Sequence, residues 1–299
     1  VGTSTKKYRP FNETGYGSYL SSANQNGDAL KVDKMWYTMP IGEKVTFTIG
    51  PKIENYYMLA ATPSIYKPGV LKAFKLGGHS AVNGASTDGG AGIKYVSDNG
   101  FGFATNFVSK GSKTNAGIFT KEAKGKWDTQ VAYTKPSYHV SLTYSDQQNG
   151  WNSYSYYATS DAATKASTAD STAYMLRAYW RPENAGTATP EISAGYDVLD
   201  ITGNGDNVKE ADSYFVGLGW SDMFTADDKI GLAFGQPLKA TKYGASGSTD
   251  VDPFLWEAYY SYKVNDAVTV QPAVFGGSDV RSDTQDDMFG VALTSYFKF

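Results

Sequence analysis

The sequence predicts an all-β protein, a transmembrane antiparallel β-barrel. Three observations carry this. Residues 286–299, DDMFGVALTSYFKF, alternate in character. Phe289, Val291, Leu293, Phe297 and Phe299 fall on one side with Ser295; Gly290, Ala292, Thr294, Tyr296 and Lys298 fall on the other. The composition is at once aromatic and polar. Aromatics make up 15% of 299 residues, yet mean hydropathy is −0.40 and no run of about 20 apolar residues offers a transmembrane helix. A barrel reconciles these, because alternate residues of each strand face lipid and water. Third, the links between strand-like stretches alternate short and long, as periplasmic turns and extracellular loops do.

Taken in order, residues 1–29 are polar and turn-rich, and read as a loop outside the cell. Residues 30–51 form a hairpin about Pro40-Ile41-Gly42-Glu43. In its second strand Val45, Phe47 and Ile49 oppose Lys44, Thr46 and Thr48. Residues 52–90 lack alternation and exceed the length of an idle loop. Their apolar residues (Met58, Leu59, Ile65, Val70, Leu71 and Phe74) are expected to pack inside the barrel.

From residue 92 the hairpins are regular. Gly92–Ser97 pairs with Phe101–Val108, Trp127–Thr134 with Tyr138–Ser145, and Tyr174–Arg181 with Ile192–Val198. Tyr214–Trp220 pairs with Lys229–Gly235, and Phe254–Lys263 with Val268–Phe275, before the final strand. Residues 109–125, 146–171, 199–211 and 236–252 read as loops. Trp127, Val131, Tyr138, Val140 and Leu142 are expected outside; Asp128, Gln130, His139, Ser141 and Thr143 inside. Trp36, Trp127, Trp180, Trp220 and Trp256 near strand ends suit the interfacial girdles. Phe297 and Phe299 are expected to form the terminal aromatic ending that serves as an assembly signal.

This gives about 13 strands in one barrel domain, 1–299, an odd number where bacterial barrels are even. Val1 is not Met and no signal peptide precedes it, so a processed or partial chain is expected, with roughly three barrel strands upstream.

The chemistry excludes more than it offers. With no Cys and two His, neither a thiolate nor a zinc cluster is expected. A net charge of −3 argues against a nucleic-acid surface. Asp200, Asn204, Asp206 and Glu210 could hold calcium through oxygens, but their spacing is not that of an EF-hand, and a solvated acidic loop is the simpler reading. No Ser/His or Asp/His pair stands out, so no enzyme and no cofactor are expected. The alternatives are a secreted glycan-binding β-sandwich and an outer-membrane barrel enzyme.

Two stretches carry a family resemblance. VDKMWYTMPIGEKVTFTIGP, residues 32–51, resembles a segment of cyanobacterial outer-membrane porins, with Lys34 where that family usually has Arg. GLGWSDMFTADDKIGLAFGQP, residues 217–237, resembles their second signature. These proteins are similar to OprB-type carbohydrate porins, and many are labelled iron-uptake porins. The resemblance implies an outer-membrane homotrimer of barrels with about 16 strands each. It also implies a peptidoglycan-binding SLH domain upstream, absent from this chain.

The expected function is passive diffusion of small hydrophilic solutes and inorganic ions. The motive is a small, polar inner face that includes Thr46, Thr48, Gly102, Asn106, Gln130, Ser141, Gly217 and Gly231 and would leave a wet channel. The segment 52–90 is expected to narrow it. Lys67, Lys72 and Lys75 would set the constriction, opposed on the wall by Lys94, Arg177, Asp128 and Glu257.

Overall fold

The computed structural model describes residues 32–78, 88–110, 117–151, 169–202, 208–243, 252–279 and 287–298. The expected strands form one antiparallel sheet in which each pairs with its sequence neighbours. They are β1 (Met35–Ile41), β2 (Val45–Ile53), β3 (Asp88–Val96), β4 (Phe101–Ser109), β5 (Gly125–Thr134), β6 (Tyr138–Gln147) and β7 (Asp170–Trp180). They continue as β8 (Glu191–Thr202), β9 (Val208–Ser221), β10 (Lys229–Tyr243), β11 (Phe254–Asn265), β12 (Val268–Ser278) and β13 (Met288–Phe297). Among the described residues β1 and β13 do not pair, so the sheet is open there. No described helix is long and apolar enough to cross a membrane.

Alternation fixes the faces. In β6, Tyr138, Val140, Leu142 and Tyr144 are exposed, while His139, Ser141 and Thr143 are buried. In a water-soluble protein this arrangement would be inside out. On β13, Val291 and Leu293 are 71% and 72% exposed, a surface that only lipid or another apolar partner would cover.

The strands run further than the alternation suggested. Residues 199–211 were expected to form a loop, yet β8 reaches Thr202 and β9 begins at Val208. Likewise β10 extends to Tyr243, well into 236–252. The reason is a second packed region. Met175, Leu199, Ile201, Val208, Ala211, Leu238 and Ala240 bury one another near the extracellular end, outside the polar/apolar rhythm of the lipid zone. The pairs Lys242–Glu210 (2.9 Å) and Lys239–Asp252 (2.7 Å) hold the polar side of the same extension.

The periplasmic turns are compact. Between β9 and β10 the carboxylate of Asp228 accepts hydrogen bonds from the backbone N–H groups of Met223, Phe224 and Thr225, at 2.8, 3.0 and 3.0 Å. Tyr260 Oη adds a fourth at 3.1 Å. Burial alone would raise the pKa of Asp228, but these donors outweigh it and hold the carboxyl below its ordinary range.

Trp36 departs from the girdle expectation. It lies on the inner side, where Gly50 leaves no side chain against it, and stacks on Tyr57 at 5.2 Å. Trp127 and Trp180 are exposed on the outer face as expected. Residues 1–31 and Phe299, with the loop and assembly roles read for them, lie outside the described residues; Phe297 is exposed on the outer face of β13.

Candidate functional site: an internal loop belting the lumen

The segment after β2 turns inward and follows the inner wall. Two short 3-10 turns, Asn55–Met58 and Lys72–Gly77, give it shape. It begins under β3 and β4, where Asn55 Nδ2 donates to Asn106 Oδ1 at 2.6 Å and to the Lys126 carbonyl at 3.3 Å. The Ala61 N–H donates to Gln130 Oε1 on β5 at 3.0 Å. Further on, the Ile65 and Tyr66 N–H groups reach Ser193 Oγ on β8, each at 3.3 Å.

Glu257 on β11 is the main anchor. Its Oε1 accepts from the Gly69 N–H and from Tyr66 Oη, both at 2.8 Å. Its Oε2 accepts from the Val70 and Leu71 N–H groups at 2.9 and 2.6 Å. All four partners are donors, which is what an ionised carboxylate can serve. Gln271 Nε2 on β12 and Tyr259 Oη on β11 hold the Gly69 and Lys67 carbonyls.

The return limb is pinned by Arg177 on β7, whose Nε donates to the Leu76 carbonyl at 3.0 Å. Leu76 and Gly77 both have positive φ, so the chain turns sharply under the guanidinium. Arg177 is itself paired with Asp197 on β8 at 2.6 Å.

Apolar packing completes the belt. Val70, Leu71, Ala73 and Phe74 bury against Phe215, Ala233, Leu255, Ala273 and Phe275 of the wall. The small wall residues therefore do not all leave open water, as the sequence suggested. A Cβ on Gly195 would overlap the Gly77 carbonyl, one on Gly217 the Tyr66 ring, and one on Gly92 would crowd Met58. One on Gly102 would crowd Ala60. These positions are small because the loop sits on them.

The expected constriction residues divide into two groups. Glu257, Arg177 and Asp128 are fully buried behind the loop. Asp128 sits 3.7 Å from the equally buried Lys126. They hold the loop and wall rather than face the open lumen, and Lys94 is half-buried on the inner face of β3. Lys67, Lys72 and Lys75 lie on the loop itself and keep partial access to water.

Around Lys72 and Lys75 a cluster forms whose members the sequence reading did not bring together. Lys34 lies 3.9 Å from Glu54 and over the Tyr57 ring at 5.6 Å. Lys75 lies over the Tyr56 ring at 5.8 Å, and Tyr56 stacks on Tyr57 at 4.6 Å. Burial first, then the neighbouring charges of Lys75 and Lys34, lower the Lys72 ammonium to about 8, although Glu54 opposes the shift. The signal available in sequence was Lys34 beside Trp36 and Glu54 beside Tyr56-Tyr57, flanking one hairpin.

Lower down, Lys67 and Lys75 line a common cavity with Thr62, Ser64 and Pro68. Lys67 also lines a second cavity, toward the periplasmic turns, with Lys229, Glu191 and Tyr259. His139 faces inward, with hydroxyls at both ring nitrogens: Thr134 Oγ1 at 2.7 Å and Ser141 Oγ at 2.9 Å. No His, Asp and Glu cluster that could hold a metal occurs among the described residues.

A lipid-facing antiparallel sheet with a loop folded along its inner wall defines an outer-membrane porin. The chain belongs to the OprB family of carbohydrate-selective porins, whose sequence model it matches over residues 9–275. Among solved structures, that of Pseudomonas putida OprB at high pH superposes with a TM-score of 0.62 at 13% identity. That match covers 96% of this chain and 78% of the other. Vibrio cholerae OmpT expressed in the outer membrane gives a TM-score of 0.52 at 12% identity, covering 85% of this chain and 77% of that one. At these identities the likeness is one of fold. A search of curated proteins finds no significant match. The fold and family place the protein in the bacterial outer membrane.

Proposed function

We propose that this porin is a passive channel for small hydrophilic solutes, sugars and inorganic ions among them, with no cofactor, no energy coupling and no catalytic step. The observation that carries this reading is the loop bound to the inner wall by Glu257, Ser193, Gln130 and Arg177. It gathers Lys72, Lys75, Lys34 and Glu54 while Glu257, Arg177 and Asp128 of the wall are buried behind it. A fixed, narrow, charged section is what a size- and charge-discriminating diffusion channel requires. Lys67, Lys72 and Lys75 are its constriction cations in this reading. The homotrimer and the cyanobacterial kinship implied by residues 32–51 and 217–237 belong to the same proposal.

Planar-bilayer recording of the purified, folded chain tests it. Ohmic steps are expected, grouped in threes for a trimer. Folded protein that never conducts would refute the channel.

A further inference from the structure

The cluster at the loop's entrance is more than a set of charges. Trp36, Tyr57 and Tyr56 form a continuous stack, with ring centroids 5.2 and 4.6 Å apart. Trp36 and Tyr57 are 42% and 39% exposed, so part of this aromatic surface is open to a solute. Lysines flank it on both sides: Lys34 over Tyr57 and Lys75 over Tyr56. Lys72 lies close enough to feel Lys34, Lys75 and Glu54. Three ammonium groups thus share two carboxylates, Asp33 at 3.1 Å from Lys34 Nζ and Glu54 at 3.9 Å from it, and Glu54 sits at the edge of the stack, hydrogen-bonded to Tyr56. Among the described residues the cluster therefore holds three cations to two carboxylates, beside an apolar ring surface.

Neither half alone points to a particular solute. Lysines without a platform favour any small anion, and a platform without lysines favours any sugar. Together they fit a solute with an apolar ring face and one negative charge at its rim. We infer that the entrance cluster Lys34, Trp36, Glu54, Tyr57, Lys72 and Lys75 is a binding subsite for acidic monosaccharides, pyranoses bearing a carboxylate. The pyranose C–H face lies on Trp36, which ends the stack, with the edge of Tyr57 beside it; its carboxylate meets the lysines, and its hydroxyls reach Glu54. The inference rests on the diffusion-channel reading and adds the solute class its entrance selects.

The test is single-channel recording of the intact chain with D-glucuronate, D-glucose or acetate added on the extracellular side. Glucuronate carries both ring and charge, glucose the ring, acetate the charge. Brief, concentration-dependent current blocks are expected with glucuronate, at a half-blocking concentration about tenfold below that of glucose or acetate. Trp36→Ala with Tyr57→Ala should raise the glucuronate value about tenfold and leave the reversal potential in a KCl gradient unchanged. Lys72→Gln with Lys75→Gln should raise it and also shift that potential. Heat-modifiable mobility in SDS gels shows that each variant has folded. An open channel that glucose, acetate and glucuronate block equally overturns the subsite and spares the channel, as does an aromatic variant that blocks like the parent. A folded parent that never conducts overturns the channel itself.

Discussion

At the residue scale, Lys72 is the most informative position. It is pressed against Lys75 and Lys34 and partly removed from water, and its ammonium loses its proton near pH 8 instead of above 10. A lysine with a lowered pKa is charged below that pH and neutral above it. The preference for anions should therefore be full at pH 7 and decline as pH rises through about 8. Reversal potential in a KCl gradient, read from pH 6.5 to 9.5, should show this step. Lys72→Met should lack the step, and Lys72→Arg should keep anion preference throughout, since a guanidinium does not titrate there. A step unchanged in Lys72→Met would assign it to another group. The sequence exposed Lys72 as one of three lysines with no acid between them. It did not expose Lys34 and Glu54 as partners, because their meeting depends on how far the loop folds back over its own hairpin. Trp36 was misplaced for a related reason. Position near a strand end is common to girdle tryptophans and to this one, and only the bare face of Gly50 and the ring of Tyr57 draw it inward.

At the element scale, the strands were legible because a two-residue period between lipid and water leaves little freedom of register. Where that period stops, as at Leu199–Thr202 and Leu238–Tyr243, the sequence understated the strands, since their inner face packs on apolar neighbours instead of water. That the loop folds inward was legible from its stranded apolar residues. Its attachment was not, because Glu257 looks like any inward-facing wall charge. Glu257→Leu should leave the N–H groups of Gly69, Val70 and Leu71 buried and unmet, at ~1–3 kcal/mol each. The unboiled band in SDS gels should then convert to the slow form at a temperature lower by at least ~5 °C, and open-channel noise should rise as the loop loosens. Glu257→Gln, which keeps the shape and can accept only at one oxygen, should fall between. Gly195→Val tests the second attachment, that of the return limb: its side chain would occupy the place of the Gly77 carbonyl. The return limb must move into the lumen, so single-channel conductance should fall while the strands stay paired.

At the scale of the whole molecule, Lys34, Lys72, Lys75, Lys67 and Lys229 form a file rather than a ring. Lys34 and Lys72 lie at the entrance, Lys75 borders both the entrance and the cavity it shares with Lys67, and Lys67 borders the cavity it shares with Lys229. The belt's curvature produces this order, because the loop descends the wall to Tyr66 and Lys67 before Glu257 turns it back. Acidic side chains stand beside the file at its two ends, Glu54 above and Glu191 below. Between them Lys67 and Lys75 share a cavity whose lining includes no carboxylate. Field lines in a low-dielectric wall concentrate where a charge is not balanced locally, so this middle section should dominate selectivity. Lys75→Glu should therefore move the reversal potential toward cations more than Lys229→Glu does, although each changes the charge equally. Lys67→Glu should act nearly as strongly as Lys75→Glu, and the two together should reverse the preference outright. Equal shifts from all three single changes would mean that net charge alone governs the channel, and the order of the lysines along it would then have no consequence for what passes.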